Sequence, residues 1–462
     1  MAETPQRLIS LDVFRGMTIA GMVLVNNPGG SPVYWPLDHA EWNGLTPTDW
    51  IFPFFLFIVG VSISIALGRS VAEPAGGNAK PGGKTYWKIV SRSASIYLVG
   101  AAISVVPFFQ FAATDAPDNL KILIWLAFAA SLFFLLLRNY KIAAALCVVA
   151  LLGIAGMNLA GYNVVSYNYG TLRIFGVLQR ISVCYLVTSL IFLHTTWKQQ
   201  VGIAITLLLG YWFVMTTIPV PGCEVTSVSD KACNLAAWLD RLILGENHIW
   251  RGGRVYDPEG ILSTIPAIVT TISGVLTGTW LTRKDESGGM KDETNHDAFQ
   301  QDSDSSLIPH PSSLEKANGL FGVGVALLAL GLIWNSYFPM NKSLWTSSYV
   351  LATTGLALLT LGFCYWLIDI KGYKAWAKPF VIFGVNALAL FVFTGIFARM
   401  IAAYRVTGAE GQLISIQRWI VQNIFLQIAQ PIDASLLYAI SFILLWLFLM
   451  WLLYRKKIYI KV

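Results

Sequence analysis

Twelve apolar runs, each about the length that crosses a lipid bilayer, constrain this chain more than any other feature. A hydrocarbon core needs roughly 20 consecutive apolar residues per helix. The runs cover residues 8–27, 48–67, 87–109, 120–138, 142–160, 172–194, 201–220, 261–282, 317–337, 347–370, 379–402 and 434–454. Only 12% of the 462 residues are charged, whereas an ordinary soluble domain carries about 25%. So little charge cannot clothe a water-soluble surface, and 55% hydrophobic residues exclude a disordered chain. The net charge of +7 does not suggest nucleic acid, because the basic residues are scattered rather than gathered on one domain. The expected fold class is an all-α integral membrane protein, a polytopic bundle of about 12 transmembrane helices, read as one domain over residues 1–462.

Lys and Arg in the loops set the orientation. With the N-terminus in the cytoplasm, the cytoplasmic segments hold Arg7, Arg69, Lys80, Lys84, Arg138, Lys141, Lys198, Arg283, Lys284, Lys291, Lys316, Lys371, Lys374, Lys378, Arg455–Lys457 and Lys461, while the opposite side holds Lys121, Lys231, Arg241, Arg251, Arg254, Lys342, Arg405 and Arg418 and its first loop, 28–47, has none. Both termini are then cytoplasmic. The opening MAETPQR is short, and no small-residue cleavage site follows the first apolar run, so a cleaved signal peptide is not expected. Residues 120–160 read as a tight helical hairpin and 283–316 as a flexible cytoplasmic linker rich in Ser, Asp and Gly. Residues 221–260 form a substantial outer loop. Residues 410–429 follow a helical period, as an interfacial helix or a re-entrant span.

Polar residues in and beside the spans mark the candidate chemistry, since ionisable groups are costly in a membrane. Asp12 and Arg15 lie three apart in the first span, on one helical face. Arg180 reads as mid-span. Asn26 closes the first span, and the following loop runs Trp35-Pro36-Leu37-Asp38-His39-Ala40-Glu41-Trp42-Asn43 and on to Asp49. It holds a histidine among carboxylates and asparagines, with no Lys or Arg. A carboxylate on one imidazole nitrogen leaves the other free as base or nucleophile. A second polar group comprises His248, Asp257 and Glu259 in the outer loop, Asn341 beyond the ninth span and Asn386 inside the eleventh. Of five cysteines, Cys147, Cys184 and Cys364 fall in spans, while Cys223 and Cys233 share an outer loop where an oxidising compartment would pair them. Neither Cys-x-x-Cys nor His-x-x-x-His spacing occurs, so no metal site is expected.

The runs LDVFRG, VNN-P-GG and LDHAEWNGLTPTDWIFPFFLFIVG resemble the start of the heparan-α-glucosaminide N-acetyltransferase family. The resemblance recurs at RIFGVLQRI (173–181), NLAAWLDRLILGENHIW (234–250), YDPEGILSTIPAI (256–268), FPMNKSLWTSSYV (338–350), GVNAL (384–388) and the terminal LLYRKKIYIKV. The blocks keep their order over nearly the whole chain. The resemblance implies a transmembrane acyltransferase that takes acetyl from cytosolic acetyl-CoA, as co-substrate, to the amine of an amino sugar on the opposite side. The architecture resembles that of family members in the bacterial inner membrane, there facing the periplasm, and a homodimer is the expectation that follows from the family. It also carries the histidine role to His39, the helix-end asparagine to Asn26 and the loop cysteine pair to Cys223 and Cys233. The chain departs from the family's human member in starting almost at the LDVFRG-type motif and in the added hairpin.

Acyl transfer to an amine needs a base or nucleophilic relay and an oxyanion stabiliser. His39 suits the first role. Asn26 or Asn43 could supply the oxyanion donor, and Asp38, Glu41 or Asp49 could orient the imidazole. CoA phosphates call for cations, with Arg15, Lys88, Arg92 and Arg180 as candidates. Glu41, Trp42, His248, Asp257, Glu259, Asn341 and Asn386 are candidate acceptor-binding residues. The competing class is a secondary transporter, which twelve spans and embedded charges also suit.

Overall fold

The computed structural model describes residues 8–72, 82–282, 311–408 and 411–460. Among these residues eleven single helices are long and apolar enough to span a bilayer, and a bent pair of helices makes a twelfth if the pair is counted as one span. The single helices are α1 (Ile9–Asn26), α2 (Ile51–Ala72), α3 (Gly83–Val105), α4 (Asp118–Leu136), α5 (Tyr140–Leu159), α6 (Val177–His194) and α7 (Trp197–Thr217), with the short outer-loop helix α8 (Leu235–Leu244) following. Next come α9 (Thr264–Thr282), α10 (Pro311–Trp334) and α11 (Ser347–Cys364), which continues as a π-helical turn over Tyr365–Ile370. The bent pair is α12 (Lys378–Val385) and α13 (Ala387–Ala403); α14 (Ile416–Asn423) and α15 (Pro431–Arg455) complete the chain.

Lipid tails are as apolar as leucine, so membrane helices associate through close packing at small residues. Two contacts here depend on this. On α1 and α12, a Cβ on Gly16 would lie 1.8 Å from the Phe380 carbonyl oxygen, and one on Gly384 would lie 2.1 Å from that of Asp12. On α2 and α9, Gly60 and Gly274 face backbone carbonyls of the opposite helix at 2.0 Å in the same sense. The spanning windows of α1, α2, α6, α9 and α11 are 61–67% buried and form the centre, whereas α5 is only 17% buried. The α4–α5 hairpin therefore sits at the periphery and can be added without disturbing the centre.

Four expectations change. The sixth span begins at Val177 rather than 172, because Gly176 is fully extended and interrupts the helix. The eleventh span is broken at Asn386, where the two halves meet at 71°. Asn386 has left helical backbone geometry, and its carboxamide is committed to the C-terminal tail: Nδ2 donates to the Ile458 carbonyl (3.1 Å), and Oδ1 accepts from the Ile460 N–H (2.8 Å). Residues 413–415 form a strand, β2, paired antiparallel with β1 (Arg405–Thr407), and α14 is eight residues long, too short to cross. That stretch is thus a short strand, a short helix and a 3-10 turn in place of one continuous helix. Of the expected linker 283–316, residues 283–310 lie outside the described residues, and 311–316 already belong to α10.

The loop after α1, the 221–260 loop and the segment between α10 and α11 meet at one end of the bundle. The Lys/Arg distribution predicts that this end faces away from the cytoplasm. In a chain stripped of native cysteines, a cysteine at Asp38 should react with an impermeant thiol reagent in intact cells. A cysteine at Tyr140, 63% exposed at the opposite hairpin turn, should not. Labelling of position 140 alone would reverse the orientation.

Candidate active site

The loop joining α1 to α2 builds the site around Asp49. A 3-10 turn over Pro47–Trp50 leads into α2 and buries the Asp49 side chain to 1% exposure. Its Oδ2 accepts three hydrogen bonds, from the Thr46 N–H (3.1 Å), the Thr46 hydroxyl (3.0 Å) and the Ala40 N–H (3.2 Å). With Oδ2 saturated, Oδ1 is the atom left for the site. It lies 2.7 Å from His39 Nδ1 and 3.5 Å from Lys342 Nζ. A carboxylate oxygen accepts, so His39 Nδ1 carries the proton and Nε2 presents its lone pair. Lys342 Nζ lies 3.0 Å from Nδ1 and 3.3 Å from Nε2. The imidazole is 48% exposed and the lysine side chain 26% exposed. Burial pushes the Lys342 pKa below the ordinary lysine value, against the pull of the Asp49 and Glu259 carboxylates.

Neighbouring segments hold this loop in place. The Trp42 indole N–H donates to the Val228 carbonyl (3.0 Å), and its ring meets Tyr256 edge-on at 4.8 Å. Asn43 donates to Ser229 Oγ (2.8 Å) and accepts from Asn341 Nδ2 (3.1 Å), while the Gly44 N–H reaches the Met340 carbonyl (2.8 Å). Cys223 and Cys233 are disulfide-bonded, with Cα atoms 5.8 Å apart, and the loop they close carries Val228 and Ser229. The bridge thereby shapes the strap that grips Trp42 and Asn43. From below, the Tyr349 hydroxyl donates to the Asp49 carbonyl (2.6 Å), and the Tyr349 ring packs edge-on against Trp345 at 5.3 Å.

An ionic cluster lies beneath the outer loop. Arg173 donates to both Asp257 oxygens (2.9 and 2.5 Å) and also to Glu259. Burial opposes its charge, but the Glu259 and Asp257 carboxylates outweigh that and raise its pKa. Burial also drives the Asp240 carboxyl up to about 7, although Oδ1 accepts the Ile261 N–H (2.8 Å). Arg180 is fully buried in the first turn of α6; it donates to the Gly260 carbonyl (3.3 Å) and to Ser263, and stacks over Trp345 at 5.1 Å.

Several sequence-derived candidates thus fall elsewhere than expected. Arg180 is at the His39 end of the bundle, not mid-span and not beside a cytoplasmic CoA mouth. Asp257 and Glu259 are committed to Arg173. His248 Nδ1 donates to the Leu172 carbonyl (2.7 Å), tying two loops together. Asn341 is buried, with Oδ1 on the Leu344 N–H (2.9 Å). Asn43 is occupied on both sides of its amide, and Asn386 serves the C-terminal tail. The Asp38 side chain accepts from the His39 backbone N–H (2.8 Å), and the Asp38 carbonyl accepts from the Thr46 hydroxyl (2.7 Å). Asn26 is exposed at the end of α1, and among the described residues no hydrogen bond joins its side chain to His39. Glu41 is exposed on the same loop. Arg15 donates to Asp12 (3.1 Å) and to Ser62 (3.0 Å) at the opposite end, where Lys88 is exposed and Arg92 lies over the Tyr185 ring. Lys342 is the group the sequence reading passed over. Its only signal was its place beside Asn341 in the FPMNKSLW run.

A family model described as the catalytic region of heparan-alpha-glucosaminide N-acetyltransferase matches residues 7–166, which include Asn26, His39 and Asp49. The human heparan-alpha-glucosaminide N-acetyltransferase is 26% identical over 505 residues, covering 100% of this chain and 61% of the human protein. The mouse protein of the same name is also 26% identical, over 84% of this chain and 53% of its own length. The chain therefore spans less than two thirds of the relatives it matches. The family model spans the loop that carries His39 and Asp49, and the similarity to the human protein runs over the whole chain; this chain is similar to heparan-alpha-glucosaminide N-acetyltransferases.

Proposed function

We propose that this protein is a membrane-embedded acetyltransferase that moves acetyl from acetyl-CoA to the amine of a glucosamine-type sugar, with His39 as the reacting group. The observation that carries this reading is the exposed imidazole hydrogen-bonded at 2.7 Å to a buried carboxylate whose other oxygen is saturated. Such a pair fixes the ring, selects the tautomer with Nε2 free, and stabilises an imidazolium if one forms. Nε2 then serves either as base toward the attacking amine or as acetyl carrier. The sidedness follows the Lys/Arg distribution, with His39 outward and acetyl-CoA arriving from the cytoplasm. There we assign Arg15, which is bonded to Asp12 and Ser62, together with Lys88 and Arg92 as cations toward its phosphates. Arg180 acts instead as a support beneath the His39 loop.

A transport reading would draw on the broken eleventh span. The Asn386 carboxamide at that break is already bonded to the chain's own tail on both its amide and its oxygen, so it is not open to a solute. The deciding experiment incubates purified protein in lipid nanodiscs with acetyl-CoA and glucosamine. Release of CoA thiol matched by N-acetylglucosamine is the expected result. No acetyl-CoA consumption with any amino sugar would remove the proposal.

A further inference from the structure

We propose that Lys342 is a third catalytic group of the His39 site: its side-chain amine hydrogen-bonds the acyl oxygen as that oxygen becomes negative. This rests on the acetyltransferase reading and adds to it the electrophilic group that acyl transfer requires. The sequence offered Asn26 and Asn43 for that role. Asn43 has its amide spent on Ser229 and Asn341, and among the described residues no hydrogen bond joins Asn26 to the ring. Lys342 Nζ, by contrast, is 3.3 Å from Nε2, the atom left free by Asp49. A carbonyl carbon bonded to Nε2 would carry its oxygen within reach of that amine.

Three constraints hold the lysine there. Asn341, its neighbour in sequence, is buried and bonded to the Leu344 N–H and to Asn43. The Asn341 N–H donates to the Thr346 hydroxyl (3.0 Å). Asp49 Oδ1, at 3.5 Å, supplies the counter-charge. The charged groups facing His39 and Lys342 are Asp49 and Asp38 from the first loop and Glu259 from the segment before α9.

In the relay form, Nε2 bonds to the thioester carbonyl carbon while the π pair moves to oxygen, where Lys342 donates. Collapse breaks the C–S bond and releases CoA thiolate. The acceptor amine then attacks the acyl-imidazole, the C–N bond to Nε2 breaks, and the proton lost by the amine balances the thiolate as CoA thiol. Nδ1–H stays on Asp49 throughout.

The test measures kcat and KM for wild type, Lys342→Met and Lys342→Arg in nanodiscs, with acetyl-CoA and glucosamine. Lys342→Met should lose about 100- to 1000-fold in kcat, the usual cost of one oxyanion donor, with KM for acetyl-CoA little changed. Lys342→Arg keeps a donor and should recover part of that loss. Thermal melting identifies a variant that has merely unfolded, and in that event Lys342→Arg alone decides: a folded Lys342→Arg enzyme whose kcat is down by about 100-fold or more overturns the proposal. A Lys342→Met enzyme that folds and transfers normally also overturns it, as does a loss carried by KM alone, which marks a binding or structural role. Absence of transfer by wild type would sink the acetyltransferase reading itself.

Discussion

His39→Ala is expected to fold and to lose acetyl transfer by about 100- to 10,000-fold, the range that a positioned acid–base group contributes. Folding should survive for a specific reason. The imidazole is 48% exposed, so its removal opens no cavity. Asp49 keeps its three donors on Oδ2 and the Lys342 ammonium opposite Oδ1, so no buried charge is left uncompensated. The loss should therefore appear in kcat, with a melting temperature close to wild type. Labelled acetyl-CoA divides the two chemistries. A relay places label on wild-type protein in the absence of acceptor and none on His39→Ala, whereas direct transfer labels neither. Near-normal transfer by the variant to glucosamine would remove His39 from the mechanism.

The bundle is legible in the sequence because the bilayer imposes one length on every span, and a run of about 20 apolar residues satisfies it whatever its neighbours do. The break at Asn386 escapes that logic. Its cause is a pair of hydrogen bonds to residues 72 and 74 positions later, and apolar periodicity carries no trace of them. The first loop announces itself by composition, with its histidine and carboxylates free of Lys and Arg. Composition does not say which carboxylate meets the ring, since Asp38, Glu41 and Asp49 are all within reach in sequence. Backbone geometry decides it: the turn at Thr46–Trp50 folds Asp49 back under Ala40 and His39. Asp257, Glu259 and Asn341 look like binding groups for the same reason that they are structural. Polar residues at a membrane surface are rare, and their partners lie in other loops, as with Arg173, 84 residues before Asp257. Lys342 sits 303 residues from His39, and only the packing of α11 beneath the first loop brings them together.

Asp49→Asn is expected to cost about 10,000-fold in kcat, the scale seen when a carboxylate that orients a catalytic histidine is replaced by its amide. The substitution is nearly isosteric, so the argument turns on where the new amide points. With the amide oxygen turned to the Thr46 and Ala40 side, all three donors there remain satisfied, and the NH2 group faces His39 Nδ1 and the Lys342 ammonium. Nδ1 must then accept, the ring proton moves to Nε2, and the lone pair needed for attack is gone. With the amide reversed, NH2 meets three donors, and the turn that starts α2 loses its anchor. The first arrangement keeps the fold and destroys activity; the second lowers the melting temperature as well, because buried donors left unpaired cost about 1–3 kcal/mol each. Asp38→Asn is the matched control. The Asp38 side chain accepts from the His39 backbone N–H, an asparagine oxygen accepts that bond equally well, and the Thr46 bond to the Asp38 carbonyl is unaffected by the substitution. It should leave transfer near the wild-type level. Equal losses in the two variants would mean that loop charge, and not the orientation of the imidazole, carries the effect, while an Asp49→Asn enzyme with undiminished kcat would separate Asp49 from catalysis altogether.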